Sequence, residues 1–327
     1  GMGYFKSSGI HQEVTGSMGP NIGNTNLKRM LETNVLCNLY GLDPVSLGFT
    51  ISFAMESFEN GLISKEDLEG IALNFGNEED LLKLIESIAL RKGYGDILAE
   101  GSKRVSEKLG EKAKDYALHV KGIEMVSFEP RTQTNLALGY ATAPVGPRYE
   151  ICEHDWDYDI ESGWEHTMDF SKTLGILERI PMEYVGADKV RNYKILGNLW
   201  SACDALGLCI FASAPTRLLS LEKITNLIHS ITGWHTSSYE FIRWGERRNH
   251  LMRIYNLREG ITSEQDTLPE RFFNEPIQEG RLKDVVMDKK EFQESIDTYY
   301  EMMGWDEKGV PRKGTLYDHH LEWAING

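Results

Sequence analysis

The 327 residues are enough for about two domains of roughly 150 residues each, with real interiors. Hydrophobic residues make up 41% and charged residues 26%, an ordinary globular composition. The formal net charge of −15 argues against nucleic acid and against anionic membrane surfaces, since both call for clustered Lys and Arg; its simplest role is to keep the protein soluble.

No stretch has the make-up of a signal peptide, and the longest apolar run, Leu206 to Ala214, is far too short to cross a bilayer. A soluble, cytoplasmic protein is expected. Gly1 ahead of Met2 reads as a residue left by tag cleavage, so the gene is free to begin well upstream. The four cysteines, Cys37, Cys152, Cys203 and Cys209, form no C-x-x-C pair and no disulfide framework, and scattered cysteines usually serve as small buried hydrophobes.

The elements are helical from the start. Asn24 or Thr25 can cap a helix through Leu27, Met30, Leu31 and Val35 to about Leu39, which Gly41 ends as a left-handed stop. Asp43-Pro44 is an N-cap followed by proline at the first helical position, opening a helix to about Asn60-Gly61. Ser64-Lys-Glu-Asp67 and Asn77-Glu-Glu-Asp80 are further N-terminal signatures, each ahead of an apolar run of helical period. Another helix is predicted from Gly95 to about Leu109, with a short extended piece near His119 to Met125. Beyond a junction at Lys121–Arg131, prolines fragment the chain. The segment from Tyr149 to Trp164 interleaves acids with Trp156, Trp164, Cys152 and His154; it reads either as a solvated acidic loop or as a loop packed over something. Helices resume at Asp188–Leu206, Ser220–Thr232, Ser237–Arg258 and Lys289–Met303, and the Gly- and Trp-rich tail is expected to wrap a surface. The fold class is therefore all-α and multihelical, with two packed helical domains, residues 1–125 and 126–327.

One internal echo stands out. Asn38-Leu-Tyr-Gly41-Leu42-Asp43 and Asp204-Ala-Leu-Gly207-Leu208-Cys209 share the pattern N/D-x-x-G-L-D/C, each where a helix meets a glycine stop. Asp204 falls in the last turn, where the helix dipole disfavours a carboxylate, so a donor-rich partner would explain it better than helix stability does. Two such junctions facing each other, with a carboxylate and exposed N–H groups, suit the donor edge of a flat heterocycle such as a pterin. Two ordinary helix stops whose polar residues meet water suit the local pattern as well.

The surrounding words narrow the choice. Gly41-Leu-Asp-Pro-Val-Ser, Ala54-Met-Glu56, Gly93-Tyr-Gly-Asp-Ile-Leu-Ala-Glu-Gly101, Lys121-Gly-Ile-Glu124, Glu129-Pro-Arg131 and Asp204-Ala-Leu-Gly-Leu-Cys209 follow one another in the order of the aldehyde ferredoxin oxidoreductase family. Gly245-Glu-Arg247, Asn256-Leu-Arg-Glu-Gly260, Asp266-Thr-Leu-Pro-Glu-Arg271 and Tyr299-Tyr-Glu-Met-Met-Gly-Trp-Asp306 continue the series. Over nearly its whole length the chain resembles the two helical domains of that family, without its N-terminal β-rich, pterin-binding base.

The resemblance implies a tungsten- or molybdenum-bis-pterin and a 4Fe–4S cluster in the full-length protein, and oxidation of aldehydes to carboxylic acids with ferredoxin as electron acceptor. It implies pterin contacts at Asn38, Gly41, Leu42 and Asp43 and at Asp204, Leu208 and Cys209, with Cys209 the fourth cluster ligand. Asn38 stands where the family has Asp, and an amide cannot accept from two donors as a carboxylate does. The family's other three cluster cysteines form a C-x-x-C-x-x-x-C run, which is absent here, and one thiolate cannot hold a cubane. This chain alone is thus expected to bind neither cofactor and to be inactive without the N-terminal domain. Glu13 matches a family glutamate in distance from the first pterin segment, and either Tyr149 or His154 takes the place of a family histidine. Glu32-Thr-Asn-Val35 lacks the histidine of an interfacial E-x-x-H metal pair, so no such metal is expected, although a homodimer is possible. A small aldehyde or related carbonyl compound is the expected substrate; a non-catalytic helical subunit and a protein-interaction module are the rival readings.

Overall fold

The computed structural model describes residues 9–148, 154–213 and 219–325. The chain divides into two compact units, Gly1–Phe128 with Pro269–Arg271, and Glu129–Leu268 with Phe272–Gly327. Helices dominate both, and among the described residues the named strands are one two-stranded hairpin, so the fold is all-α as the sequence predicts.

The first unit contains α1 (Gln12–Met18), α2 (Leu27–Tyr40), α3 (Pro44–Glu59), α4 (Leu81–Ala89), α5 (Tyr94–Leu98), α6 (Ser102–Leu109) and α7 (Glu111–Lys114). The hairpin β1 (His119–Val120) and β2 (Ile123–Glu124) follows, antiparallel with Val120 opposite Ile123. The α3 helix is the centre of the unit. Leu47, Phe49, Ile51, Phe53, Ala54 and Met55 leave it no solvated face over most of its length, the pattern of a core helix rather than an amphipathic surface one. Asp43 caps it by accepting from Val45 N–H at 3.0 Å, with Pro44 at the first helical position, as predicted. Glu124 is buried and pins three elements: it accepts from Ser102 N–H at 2.8 Å, from Thr50 Oγ1 at 3.3 Å and from the Ser46 hydroxyl.

Three local expectations are corrected. The cap of α2 is Asn26, which accepts from Arg29 N–H at 3.2 Å, while Asn24 supports it from outside by accepting from Asn26 N–H at 2.9 Å. Ser64–Asp67 does form reciprocal capping bonds, yet no helix follows. Glu69 and Gly70 turn to positive φ, 52° and 93°, and end the first turn before it propagates. The helix predicted from Gly95 to Leu109 is two helices, broken at Gly101, whose φ of 84° is costly for any residue with a Cβ.

The second unit contains α8 (Thr134–Thr142), α9 (Asp155–Tyr158), α10 (Glu165–Ser171), α11 (Ala187–Ala205), α12 (Ile210–Ser213), α13 (Leu221–Thr232) and α14 (Ser238–Arg258). After α15 (Arg271–Asn274), at the changeover between units, come α16 (Lys289–Met302) and α17 (Lys313–Asp318). Ser220 and Ser237 cap α13 and α14 through the N–H groups of Lys223 and Glu240. From His154 onward the acidic segment is not a solvated loop: Asp155, Asp157 and Asp159 are buried. Asp155 is fully buried, pairs with Lys189 at 2.7 Å, and accepts from the N–H groups of Asn135 and Leu136 at 3.2 and 3.0 Å. It therefore caps α8 from a distance and ties it to α11. The tail packs inward: Trp305 is 3% exposed, and Arg253 of α14 reaches Asp266 at 2.7 Å and the Gly309 carbonyl at 2.8 Å.

The tightest crossing is α14 on α11. A Cβ on Gly245 would lie 1.8 Å from the Asn198 carbonyl oxygen and 2.8 Å from Ala202 N, a main-chain contact that cannot yield. Gly245→Ala should therefore push the helices apart and cost about 1–3 kcal/mol, the usual range for overpacking. Chemical denaturation measures this, and unchanged stability would contradict the crossing described here.

Candidate functional site

The two echoed segments have one backbone form. In the first, Leu42 N–H bonds to Cys37 O at 2.9 Å and Gly41 N–H to Asn38 O at 3.4 Å; in the second, Leu208 N–H bonds to Cys203 O at 3.0 Å and Gly207 N–H to Asp204 O at 2.9 Å. These are the paired bonds of a Schellman cap, with glycine at φ 70° and 68°. The echo therefore begins one residue earlier than the sequence pattern suggests, at Cys37 and Cys203, both buried. Burial pushes the Cys37 thiol up to about 12, which leaves it protonated and a poor metal ligand at neutral pH.

The flanks of the two caps differ. Asn38 is exposed on the last turn of α2, Leu42 is half-buried, and Asp43 turns its carboxylate back to cap α3. Asp204 is exposed on the last turn of α11, and its donor-rich partner is Arg248 of α14, whose Nη2 donates to Asp204 Oδ2. The same guanidinium donates through Nη1 to Ser201 Oγ at 3.3 Å. Leu208 packs against the core of Leu199, Ala202 and Cys203, while Cys209 stays exposed just beyond the cap.

Asp204, Ser201 and Arg248 line a cavity of about 330 Å³ within the second unit, together with Thr142, Tyr193 and Trp200 among others. Tyr193 and Thr142 share a hydrogen bond of 2.8 Å between their hydroxyls, and the Tyr299 ring lies 5.0 Å from that of Tyr193. Tyr193, Trp200, Tyr299 and Trp305 give the wall its aromatic part, with charge at Asp204 and the arginines, a mix of apolar surface and a few polar groups that suits a small molecule.

The other sequence-derived candidates are not among the residues that line this cavity, or fall outside the described residues. Glu13 belongs to the first unit, buried on α1, where it accepts from Ser127 N–H at 3.0 Å. The α1 helix meets the start of α3 through Ser17 Oγ, which donates to the Pro44 carbonyl at 3.3 Å. His154 is 8% exposed at the start of α9, its ring 5.4 Å from Trp156 edge to face, and it does not line the cavity. Tyr149 lies outside the described residues.

A model of aldehyde ferredoxin oxidoreductase, domains 2 and 3, matches residues 3–321. The chain belongs to that family. It is 35% identical over 321 residues to a tungsten-containing aldehyde ferredoxin oxidoreductase of Pyrococcus horikoshii, covering 97% of this chain and 49% of that protein. It is 27% identical to the WOR-like subunit of an aliphatic sulfonate oxidoreductase of Pyrococcus furiosus, covering 93% of this chain and 44% of that one. The chain spans about half the length of the curated relatives it matches. Among solved structures, the active-site complex of benzoyl coenzyme A reductase with 1,5-dienoyl-CoA superposes with a TM-score of 0.76 over 97% of this chain at 20% identity, a likeness of fold.

In this member of the aldehyde ferredoxin oxidoreductase family, one polar group invites a metal reading that its hydrogen bonds oppose. Glu246, His250 and His319 bring three potential ligand atoms within 4.8 Å of one another. Trp305 Nε1–H donates to His250 Nδ1 at 2.9 Å, so a neutral His250 carries its proton on Nε2, the atom facing the group. A ligating histidine needs the opposite polarity, with its second nitrogen donating outward. Arg243 already donates to His319 Nε2 at 3.1 Å, and Lys194 pairs with Glu246 at 3.1 Å. The trio is a network of two buried histidines and Glu246 that joins α14 to the tail. No local pattern in the sequence pointed to it, because its members come from α14 and the distant tail.

Burial and the neighbouring His319 push His250 down from 6.5 to about 3. The folded protein thus stays unprotonated there while the unfolded chain takes up a proton as pH falls below 6.5. Stability should be unaffected by this group above that pH, and lost on acidification toward pH 3 by up to ~1.4 kcal/mol per pH unit. Equilibrium unfolding from pH 7 to 4 in wild type and His250→Asn checks this: the variant's stability should fall less steeply with acid, and equal slopes would refute it.

Proposed function

We propose that this chain is the helical, cofactor-holding part of a tungsten- or molybdenum-pterin oxidoreductase that oxidises an aldehyde or related carbonyl compound and passes electrons to ferredoxin. The observation that carries the reading is the family match over residues 3–321, combined with an intact Asp204–Cys209 segment whose Asp204 lines a cavity. The relatives' names supply tungsten and ferredoxin, and the chain's coverage of half their length supports a role as one part of a larger enzyme.

The residues present fit the pterin better than they fit the cluster. Asp204 offers an exposed carboxylate in the cavity wall, and a carboxylate accepts well from adjacent N–H donors. Leu208 fixes the segment to the core behind it. A cubane needs four thiolates, and this chain does not supply them: Cys37 and Cys203 are buried in helix caps, and Cys152 lies outside the described residues. Cys209 is the single exposed thiol among the described cysteines and is assigned as one ligand, with the other three contributed by residues beyond this chain.

When bound, the metal-pterin supplies the two-electron chemistry at the carbonyl carbon. The protein's share is orientation, water exclusion and proton handling. Asp204 accepts from the ring edge, and Trp200, Tyr193 and Met252 line the cavity beside it. Glu13 is assigned the proton relay, its buried carboxylate held by Ser127 N–H. Asn38, Gly41, Leu42 and Asp43 are assigned to a second pterin contact. Asn38 bears on it weakly through a single acceptor oxygen, and Asp43 divides its carboxylate with the α3 cap. His154 or Tyr149 remains the assigned polariser of the substrate oxygen.

Anaerobic purification of the protein extended by its upstream sequence tests the reading. Tungsten or molybdenum together with iron, and the broad visible absorbance of an iron–sulfur cluster, are expected; a metal-free, colourless product would overturn it. In that protein Cys209→Ser should remove most of the iron and Cys203→Ser very little. Equal iron content in the two variants would remove the ligand assignment.

A further inference from the structure

Asp204 and Arg248 face the same cavity from two different helices, α11 and α14. Nη2 of Arg248 donates to Oδ2 of Asp204, and Nη1 reaches Ser201 Oγ at 3.3 Å. The side chains are 29% and 62% exposed, so both groups are within reach of a ligand. A carboxylate presents about four lone-pair directions and a guanidinium five N–H donors. One mutual contact therefore leaves acceptor capacity on Asp204 and donor capacity on Arg248, side by side. An exposed ion pair of this kind contributes little to the fold and reorganises cheaply.

We infer that Arg248 and Asp204 together read the edge of a 2-amino-4-oxopyrimidine ring. That edge presents an exocyclic amine and a ring N–H, then a carbonyl oxygen: two donors beside an acceptor. Asp204 matches the donors, and Arg248 donates to the carbonyl. A carboxylate alone would accept equally from any adjacent N–H pair, so Arg248 is the residue that makes the site selective for a 4-oxo ring. The inference rests on the functional reading above, which assigns Asp204 to the pterin, and it adds Arg248 as a specificity-determining residue. Pterin and guanine share this edge, so the chemistry has two possible sources.

The experiment titrates the protein extended by its upstream sequence, prepared free of cofactor, with pterin, with lumazine, which carries a carbonyl in place of the amine, and with guanosine. Quenching of the pteridine fluorescence and calorimetry for guanosine give the affinities. Wild type should bind pterin about tenfold more tightly than lumazine, the discrimination expected when a carboxylate loses one of its two donors. Asp204→Asn should erase that preference. Arg248→Gln should weaken pterin and lumazine alike by about tenfold, because both keep the 4-oxo group, with Arg248→Lys recovering part of the loss. Circular dichroism confirms that each variant is folded, as the exposure of the pair predicts.

An Arg248→Gln variant that binds pterin as wild type does, or a wild type that does not distinguish pterin from lumazine, overturns the inference. Guanosine binding more tightly than pterin supports the edge reading and overturns the pterin assignment instead. Metal and pterin present in the extended protein, alongside an inert Arg248→Gln, would leave the functional reading standing and remove only this one.

Discussion

The second unit depends on how closely α14 can approach α11. With no side chain at Gly245, the Asn198 carbonyl and Ala202 N sit where a Cβ would be. That proximity sets everything along the crossing. Asn249 donates to Asn198 Oδ1 at 3.0 Å, Lys194 meets Glu246 at 3.1 Å, and Arg248 comes within reach of Ser201 and Asp204. A larger residue at 245 would widen the crossing and move the guanidinium away from the carboxylate by the same amount. The glycine of the Gly-Glu-Arg word is thus a packing requirement whose consequence is electrostatic.

That crossing also accounts for a carboxylate in an unfavourable place. Asp204 lies in the last turn of α11, against the negative end of the helix dipole. A carboxylate in that position calls for a donor-rich partner, and Arg248 is one. The ion pair offsets the dipole without consuming the carboxylate, so stability of the helix end and capacity for a ligand are compatible. Asp155 shows the contrasting case. It is buried against Lys189 and two N–H groups at the start of α8, with no accessible face. A charge enclosed this way is held in the fold by its partners, and removing either one would leave the other stranded.

What was legible in the sequence follows from range. Caps act within four residues, so Asp43-Pro44, Ser220, Ser237 and the stops at Gly41 and Gly207 could be read directly. Ser64–Asp67 misled because a capping box reports only that a first turn is favoured; the positive φ at Glu69 and Gly70 decides that it goes no further. The acidic segment stayed open between a solvated and a packed loop for the opposite reason. Asp155 looks solvated until Lys189, 34 residues on, and the N-terminus of α8 are brought to it. Asp204 was legible as a candidate from its position alone. Arg248 was not, since nothing in a Gly-Glu-Arg-Arg run says which arginine meets a residue 44 positions away.

The repeated caps separate what backbone physics requires from what chemistry requires. A Schellman stop needs glycine in the left-handed region and favours an apolar residue after it to close on the helix, and both copies meet this with Gly-Leu. Cys37 and Cys203 fill the same buried slot, as the acceptor residue at the start of each cap. Among the positions whose side chains the cap does not fix, two differ in chemistry: Asn38 against Asp204, and Asp43 against Cys209. In the first copy the residue after leucine is drawn into starting α3, which a carboxylate does well and a thiol does poorly. In the second the thiol stays exposed ahead of a four-residue helix. The same backbone frame therefore delivers a helix start in one unit, and a carboxylate and thiol five residues apart in the other. Only the second arrangement keeps both groups available to something outside the fold.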